Sequence, residues 1–105
     1  NATVDALMQI PESYLINNYP NPFNPSTTIN FYITDADAGA TKLIKIYNVL
    51  GQLVAMIDVS HFEAGMHSIK FDGRDQFGAP LPSGHYFVRL QVGEQMSTIK
   101  ITLEK

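Results

Sequence analysis

The sequence predicts an all-β sandwich of about seven antiparallel strands. Three observations carry this. Short runs that alternate apolar and polar residues recur along the chain, the period of a strand with one buried face. Seven Gly and six Pro punctuate those runs, at the spacing of roughly 8–12 residues that sandwiches show. No run of helix length repeats apolar residues at helical spacing. With 105 residues, the chain has the size of one domain, large enough to bury a core without covalent staples.

Residues 1–12 read as a linker ending at Ile10-Pro11, where Pro biases its neighbour towards extended backbone, so the domain spans 13–105. Tyr14 to Tyr19 reads as an edge-like strand. Pro20-Asn21-Pro22-Phe23-Asn24-Pro25 follows, and its three prolines cannot sit in a central strand because each removes a ladder donor. It predicts a rigid corner with local turn bonds from its Asn side chains. Ser26 to Ile33 is the next strand, with Ile29, Phe31 and Ile33 on one face. An acidic, small-residue loop covers Thr34 to Ala40. Thr41 to Tyr47 alternates again, with Ile44 and Ile46 inward and Lys45 and Tyr47 outward. Asn48-Val49-Leu50-Gly51 is a tight connection with Gly51 suited to positive φ. Leu53 to Asp58 is its hairpin partner, and its irregular alternation predicts a bulge.

Ser60 to Gly65 is a loop, and Met66 to Asp72 alternates with His67, Ile69 and Phe71 on one face. The longest loop runs from Gly73 to Gly84. His85 to Val92, the turn Gly93-Glu94, and Gln95 to Leu103 form the strongest hairpin signal, because Gly at the first central position fits a type II′ turn. That register sets Val88 opposite Ile99, Tyr86 opposite Ile101, Phe87 opposite Lys100 and Arg89 opposite Thr98. A slip of one residue would scramble both faces. Tyr86, just after Leu81-Pro82-Ser83-Gly84, has the position of a tyrosine corner. The sandwich is therefore expected to be immunoglobulin-like or fibronectin-like, without the Cys and Trp signature of true immunoglobulin domains.

Composition narrows the function. Hydrophobic residues make up 45% and charged residues 16%, which excludes disorder. The net charge of −3 argues against nucleic acid as a partner. There is no Cys, so zinc-thiolate sites and cysteine nucleophiles are excluded. No apolar run reaches the length of a membrane helix. His61, His67 and His85 fall on different elements, so no metal site is expected. Asp72 and Asp75, with Asp35 and Asp37 elsewhere, are the weak alternative for calcium, but their spacing is not that of an EF-hand and turn chemistry explains them. No Ser sits in a nucleophile elbow, so no enzyme, catalytic residue or cofactor is expected. Tyr32, Tyr47 and Phe87 point outward and would stack sugar rings if they shared one face.

Several segments together resemble one family. Asn18-Tyr19-Pro20-Asn21-Pro22-Phe23-Asn24-Pro25 with Ser26 to Ile29 is similar to the opening motif of the C-terminal sorting domains, type A, of the bacterial type IX secretion system. Ile46 to Val54 (IYNVLGQLV) resembles the second motif. Gly65 to Ile69, Phe71-Asp72-Gly73-Arg74-Asp75, and Gly84 to Leu90 (GHYFVRL) resemble later ones, and Lys100 to Lys105 the closing strand. Phe71 departs by standing where Trp is common. The Ig-like domain of the flagellar hook-capping protein shares the middle and late motifs. The resemblance implies a non-catalytic C-terminal module of a larger exported protein, secreted or at the bacterial cell surface. It implies a sorting and attachment signal read by the type IX translocon or the outer-membrane attachment machinery, with an upstream catalytic domain in the same parent chain. The module is expected to be monomeric. The recognition residues expected are Asn21, Pro22, Phe23, Asn24, Pro25, Asn48, Gly51, Lys100 and Lys105. A carbohydrate-binding module using Tyr32, Tyr47 and Phe87, or a structural spacer, are the competing readings.

Overall fold

A computed structural model describes residues 13–105; the expected linker, 1–12, lies outside the described residues. Seven strands follow in chain order: β1 (Tyr14–Tyr19), β2 (Thr27–Ile33), β3 (Lys42–Asn48), β4 (Leu53–Asp58), β5 (Gly65–Phe71), β6 (Gly84–Val92) and β7 (Gln95–Leu103). They form two antiparallel sheets, β1-β2-β5 and β4-β3-β6-β7. This is the expected sandwich, with β1 on an edge. Strand-to-strand connections after β2, β4 and β5 cross from one sheet to the other, so neither sheet can form from a contiguous piece of chain.

The core lies between the sheets. Ile29, Phe31 and Ile33 of β2 face Ile44 and Ile46 of β3, Val88 and Leu90 of β6, and Ile101 and Leu103 of β7, all essentially inaccessible to solvent. Each burial removes an apolar side chain from water and contributes about 1.5–3 kcal/mol. The β6–β7 register pairs Val88 with Ile99, Tyr86 with Ile101 and Arg89 with Thr98, as the turn demands. Gly93 has φ 58° while Glu94 does not turn positive, the type II′ pattern. The bulge also forms: Ile46 pairs with Ala55 but Tyr47 pairs with Leu53, leaving Val54 as the extra residue. The Val54 carbonyl accepts the Gln76 N–H at 3.0 Å, so the long β5–β6 loop covers part of the exposed β4 edge.

Two features of the β2–β3 connection escape the pattern reading. A short 3-10 turn, Asp35–Asp37, lies inside the expected loop. Lys42 is fully buried. Alternation counted back from Ile44 puts position 42 on the inward face, and a lysine there must carry its charge to acceptors. Its Nζ donates to the carbonyls of Asp37, Ala38 and Ala40 at 3.0, 2.9 and 2.9 Å. The Asp37 carbonyl also accepts the Ala40 N–H at 2.9 Å, whereas the Ala38 and Ala40 carbonyls are ones a short turn leaves without backbone partners. Thr34 Oγ1 and Ser13 Oγ donate to the Asp37 carboxylate at 2.9 and 2.6 Å, tying the turn to the start of β1.

Candidate recognition site

Strand direction decides where the motif segments go. The β1–β2, β3–β4 and β5–β6 connections and the end of β7 all emerge at one pole of the sandwich. Residues 21–25, 48–51, 73–83 and Lys105 therefore meet there. The other pole carries the β2–β3, β4–β5 and β6–β7 connections.

The proline corner is stitched to the last strand. Phe23 N–H donates to the Thr102 carbonyl, and Glu104 N–H donates to the Phe23 carbonyl, both at 2.9 Å. Asn21 Oδ1 accepts the Thr102 N–H at 3.1 Å. The expectation of purely local Asn bonds is therefore corrected for Asn21, whose partner is far along the chain. Before the corner, Asn18 Nδ2 donates to Thr27 Oγ1 at 3.2 Å, and Thr27 Oγ1 donates to the Pro20 carbonyl at 2.8 Å. Phe23 requires a second correction. Its parallel bridge to Leu103 turns the ring inward, where it is 2% exposed and meets Phe71 edge-on at 6.0 Å. It is a core anchor and offers no side chain to a partner. Asn21, Pro22, Asn24 and Pro25 remain exposed. These bonds also occupy the β7 edge from Thr102 onward, so that stretch is closed to strand addition.

Gly73 explains why the corner and the long loop approach so closely. A Cβ on Gly73 would sit 2.5 Å from the Pro25 carbonyl oxygen, and its φ is 73°. Only glycine meets both conditions. The loop beyond it is held by Asx turns. Asp72 Oδ1 accepts the Arg74 N–H at 3.1 Å, and Asp75 Oδ1 accepts the N–H groups of Phe77 and Ala79 at 2.9 Å. Among the described residues no three His, Asp or Glu side chains gather as a metal site.

The β3–β4 hairpin is organised by Asn48. Its Oδ1 accepts the N–H groups of Leu50 and Gln52 at 3.0 Å, while Gly51 takes φ 80°. The turn has no inward direction left for its central side chains. Val49 and Leu50 are consequently 65% and 79% exposed, an apolar tip the sequence reading passed over in favour of Asn48 and Gly51. Beside it, the Tyr86 hydroxyl donates to the Pro82 carbonyl at 2.6 Å, which completes the expected tyrosine corner. Burial pushes the Tyr86 phenol above its ordinary value. Lys105 N–H donates to Ser83 Oγ at 3.1 Å, so Lys105 belongs to the pole. Lys100 does not: it lies on the outer face of β7, opposite Phe87.

The three outward aromatics do not form one platform. Tyr32 is on β2, in the three-stranded sheet, and packs 5.5 Å from Tyr14. Tyr47 and Phe87 pair on β3 and β6, in the other sheet. The sheets present outer faces to opposite sides, so the sugar platform with Tyr32, Tyr47 and Phe87 together is corrected. The His61 and His67 rings both pack on Phe62, at 4.4 and 4.7 Å, while His85 Nδ1 lies 3.0 Å from Thr102 Oγ1 of β7.

Relatives match this geometry. The sequence profile of the FlgD Ig-like domain matches residues 17–95. The chain belongs to the FlgD Ig-like domain family. No curated protein matches it at the level of sequence. Among solved structures, FlgD from P. aeruginosa is 17% identical with a TM-score of 0.59, covering 89% of this chain and 68% of that one. Dimeric latent PorU from Porphyromonas gingivalis is 22% identical with a TM-score of 0.72, covering 90% of this chain but 10% of that one. PorZ, an essential surface component of the type-IX secretion system of the same organism, is 20% identical with a TM-score of 0.57, covering 85% and 11%. The FlgD-type domain thus spans about a tenth of the length of PorU and PorZ, and these likenesses concern the fold. No helix among the described residues is long and apolar enough to cross a membrane.

Proposed function

We propose that this FlgD-type Ig-like domain is a non-catalytic module of a larger exported bacterial protein, serving as its sorting and cell-surface attachment signal. The observation that carries the reading is the convergence at one pole of the proline corner, the Asn48–Gly51 hairpin, the Gly73 loop and the end of β7, while Gly65 starts β5 from the other pole. The corner and the hairpin expose Asn21, Pro22, Asn24 and Pro25 beside Val49 and Leu50. A rigid surface of this kind binds with little ordering cost. The occurrence of the same fold within PorU and PorZ supports the assignment. The type IX translocon or the outer-membrane attachment machinery is the partner, and the module acts as a monomer behind an upstream catalytic domain.

The test is an export assay. Residues 1–105 are fused behind a periplasmic fluorescent reporter with its own signal peptide, in a type IX-competent bacterium and in a translocon mutant. Reporter should reach the surface or medium only in the competent strain. Retention in the periplasm of both, with the domain folded, overturns the reading. Removing residues 100–105 is a poor variant, because it takes away Ile101, Leu103 and the bonds to Phe23; paired changes at Asn24 and Leu50 leave the clamp intact. The family profile favours a second reading, an assembly module like the FlgD domain, for which export would be unaffected.

A further inference from the structure

The outer faces of the two sheets differ in how far they satisfy themselves. On the three-stranded sheet, Asn30 Nδ2 donates to Asn17 Oδ1 at 2.7 Å, and Ser68 Oγ donates to Asn30 Oδ1 at 2.6 Å. That row is neutral, polar and closed. On the four-stranded sheet, register aligns Leu53, Tyr47, Phe87 and Lys100 in one row. The next row holds Met56, Lys45, Arg89 and Thr98.

Lys45, Arg89 and Lys100 therefore share one face of a chain in which ten acidic residues outnumber seven basic ones. Asp58 stands at the β4 edge of that face, one row further on. Between the cations, Leu53 is 42%, Met56 48% and Phe87 37% exposed. A groove of about 300 Å³ opens here between Tyr47, Phe87, Arg89 and Thr98 and the β3–β4 hairpin. The Arg89 guanidinium stacks over the Tyr47 ring at 5.0 Å. Its Nε is buried and has no hydrogen-bond partner among the described residues.

With Nε out of reach of solvent, the terminal Nη1–Nη2 edge is the part of the guanidinium left for a ligand, and it matches a carboxylate with two parallel bonds. We propose that this groove binds the carboxylate side chain of an acidic, apolar-flanked peptide segment from a partner protein. The carboxylate pairs with the Arg89 edge, and its apolar neighbour lies against Phe87. Lys45 and Lys100 on the flanks favour approach of negative charge and disfavour basic partners. The groove is concave and of side-chain size, which suits a peptide better than a flat lipid surface. This binding is independent of the sorting role, although the groove borders the Asn48 hairpin.

The test uses the 105-residue chain and three probes: a short peptide alternating Leu and Glu, its counterpart alternating Leu and Lys, and phosphatidylglycerol vesicles. The acidic peptide should bind saturably, with amide shift changes centred on Tyr47, Phe87 and Arg89, and salt should weaken it. Arg89→Lys, which keeps the charge and loses the fork, should weaken binding by about tenfold. Lys100→Glu, an exposed rim change that spares the stack, should also weaken it several-fold. The inference is overturned if both peptides bind equally, if Lys100→Glu leaves the acidic peptide's affinity unchanged, or if vesicles bind this face and the acidic peptide does not.

Discussion

The two poles of the sandwich are held by opposite means. At the motif pole the contacts join residues far apart in the chain: Asn21 and Phe23 with Thr102 and Glu104, Pro25 with Gly73, Ser83 with Lys105. At the other pole one side chain, Lys42, gathers three carbonyls within five residues of itself. The residues that read most strongly as motif are thus mostly a clamp between distant segments. What the motif pole exposes is the outer side of that clamp, Asn21, Pro22, Asn24 and Pro25, together with a quieter part, Val49 and Leu50. A segment's strength as a sequence signal reports how constrained its backbone is, and only secondarily what it touches.

Substitutions can break this contrast. Phe23→Ala should cost about 3–5 kcal/mol, the range for emptying an aromatic core site. Urea unfolding measures it, and a loss below about 1 kcal/mol would show that the corner does not depend on its anchor. Gly73→Ala should cost about 3 kcal/mol, from the left-handed φ and the forced retreat of Pro25. Amide exchange should rise at residues 20–26 and 102–104 together, and a rise confined to the 73–80 loop would dissociate the two segments. Lys42→Met should cost about 2 kcal/mol by leaving the Ala38 and Ala40 carbonyls to find water. Here exchange should increase around residues 35–40 and leave the motif pole untouched.

Smaller effects sharpen the contrast by pH. Tyr86→Phe should cost about 1 kcal/mol, the net worth of the bond to Pro82. Because burial raises the Tyr86 phenol, its contribution is complete below the ordinary value of about 10 and is lost as pH rises through the folded value. The alkaline loss should vanish in Tyr86→Phe. At the opposite pole, Asp58 is held below the usual carboxylate range by Ser60, through its hydroxyl and backbone N–H, the N–H lying 2.8 Å from Oδ1. Its contribution is present above about 3.9 and is lost as pH falls through the folded value. Chemical denaturation across both windows, with Asp58→Asn as the acid-side control, separates the poles; an alkaline loss that persists in Tyr86→Phe assigns it elsewhere.

Much of this was legible beforehand because local rules and global packing agree. The II′ turn at Gly93 fixes a register that puts Val88, Leu90 and Ile101 inside, and the positions of Pro82 and Tyr86 suffice for the tyrosine corner. Phe23 was misplaced because proline-rich segments advertise rigidity without direction, and its inward turn depends on Leu103, eighty positions away in the chain. Lys42 escapes a reading by charge, which suggests the surface, whereas its strand parity and the Ala38 and Ala40 carbonyls of the short turn together point inward. Tyr32 was grouped with Tyr47 and Phe87 because alternation tells inside from outside but not which sheet a strand joins.

The bonds between the proline corner and Thr102 to Glu104 also govern when the domain can become complete. A chain emerging from the ribosome holds both halves of β1–β2 and β3–β4 long before it holds Glu104. Until then Phe23 has no backbone partner, and β6 lacks the strand that supplies Ile101 and Leu103 to the core. Closing a loop of about eighty residues is among the later and slower steps of assembly. The domain therefore remains unfinished until residues 102–104 are made.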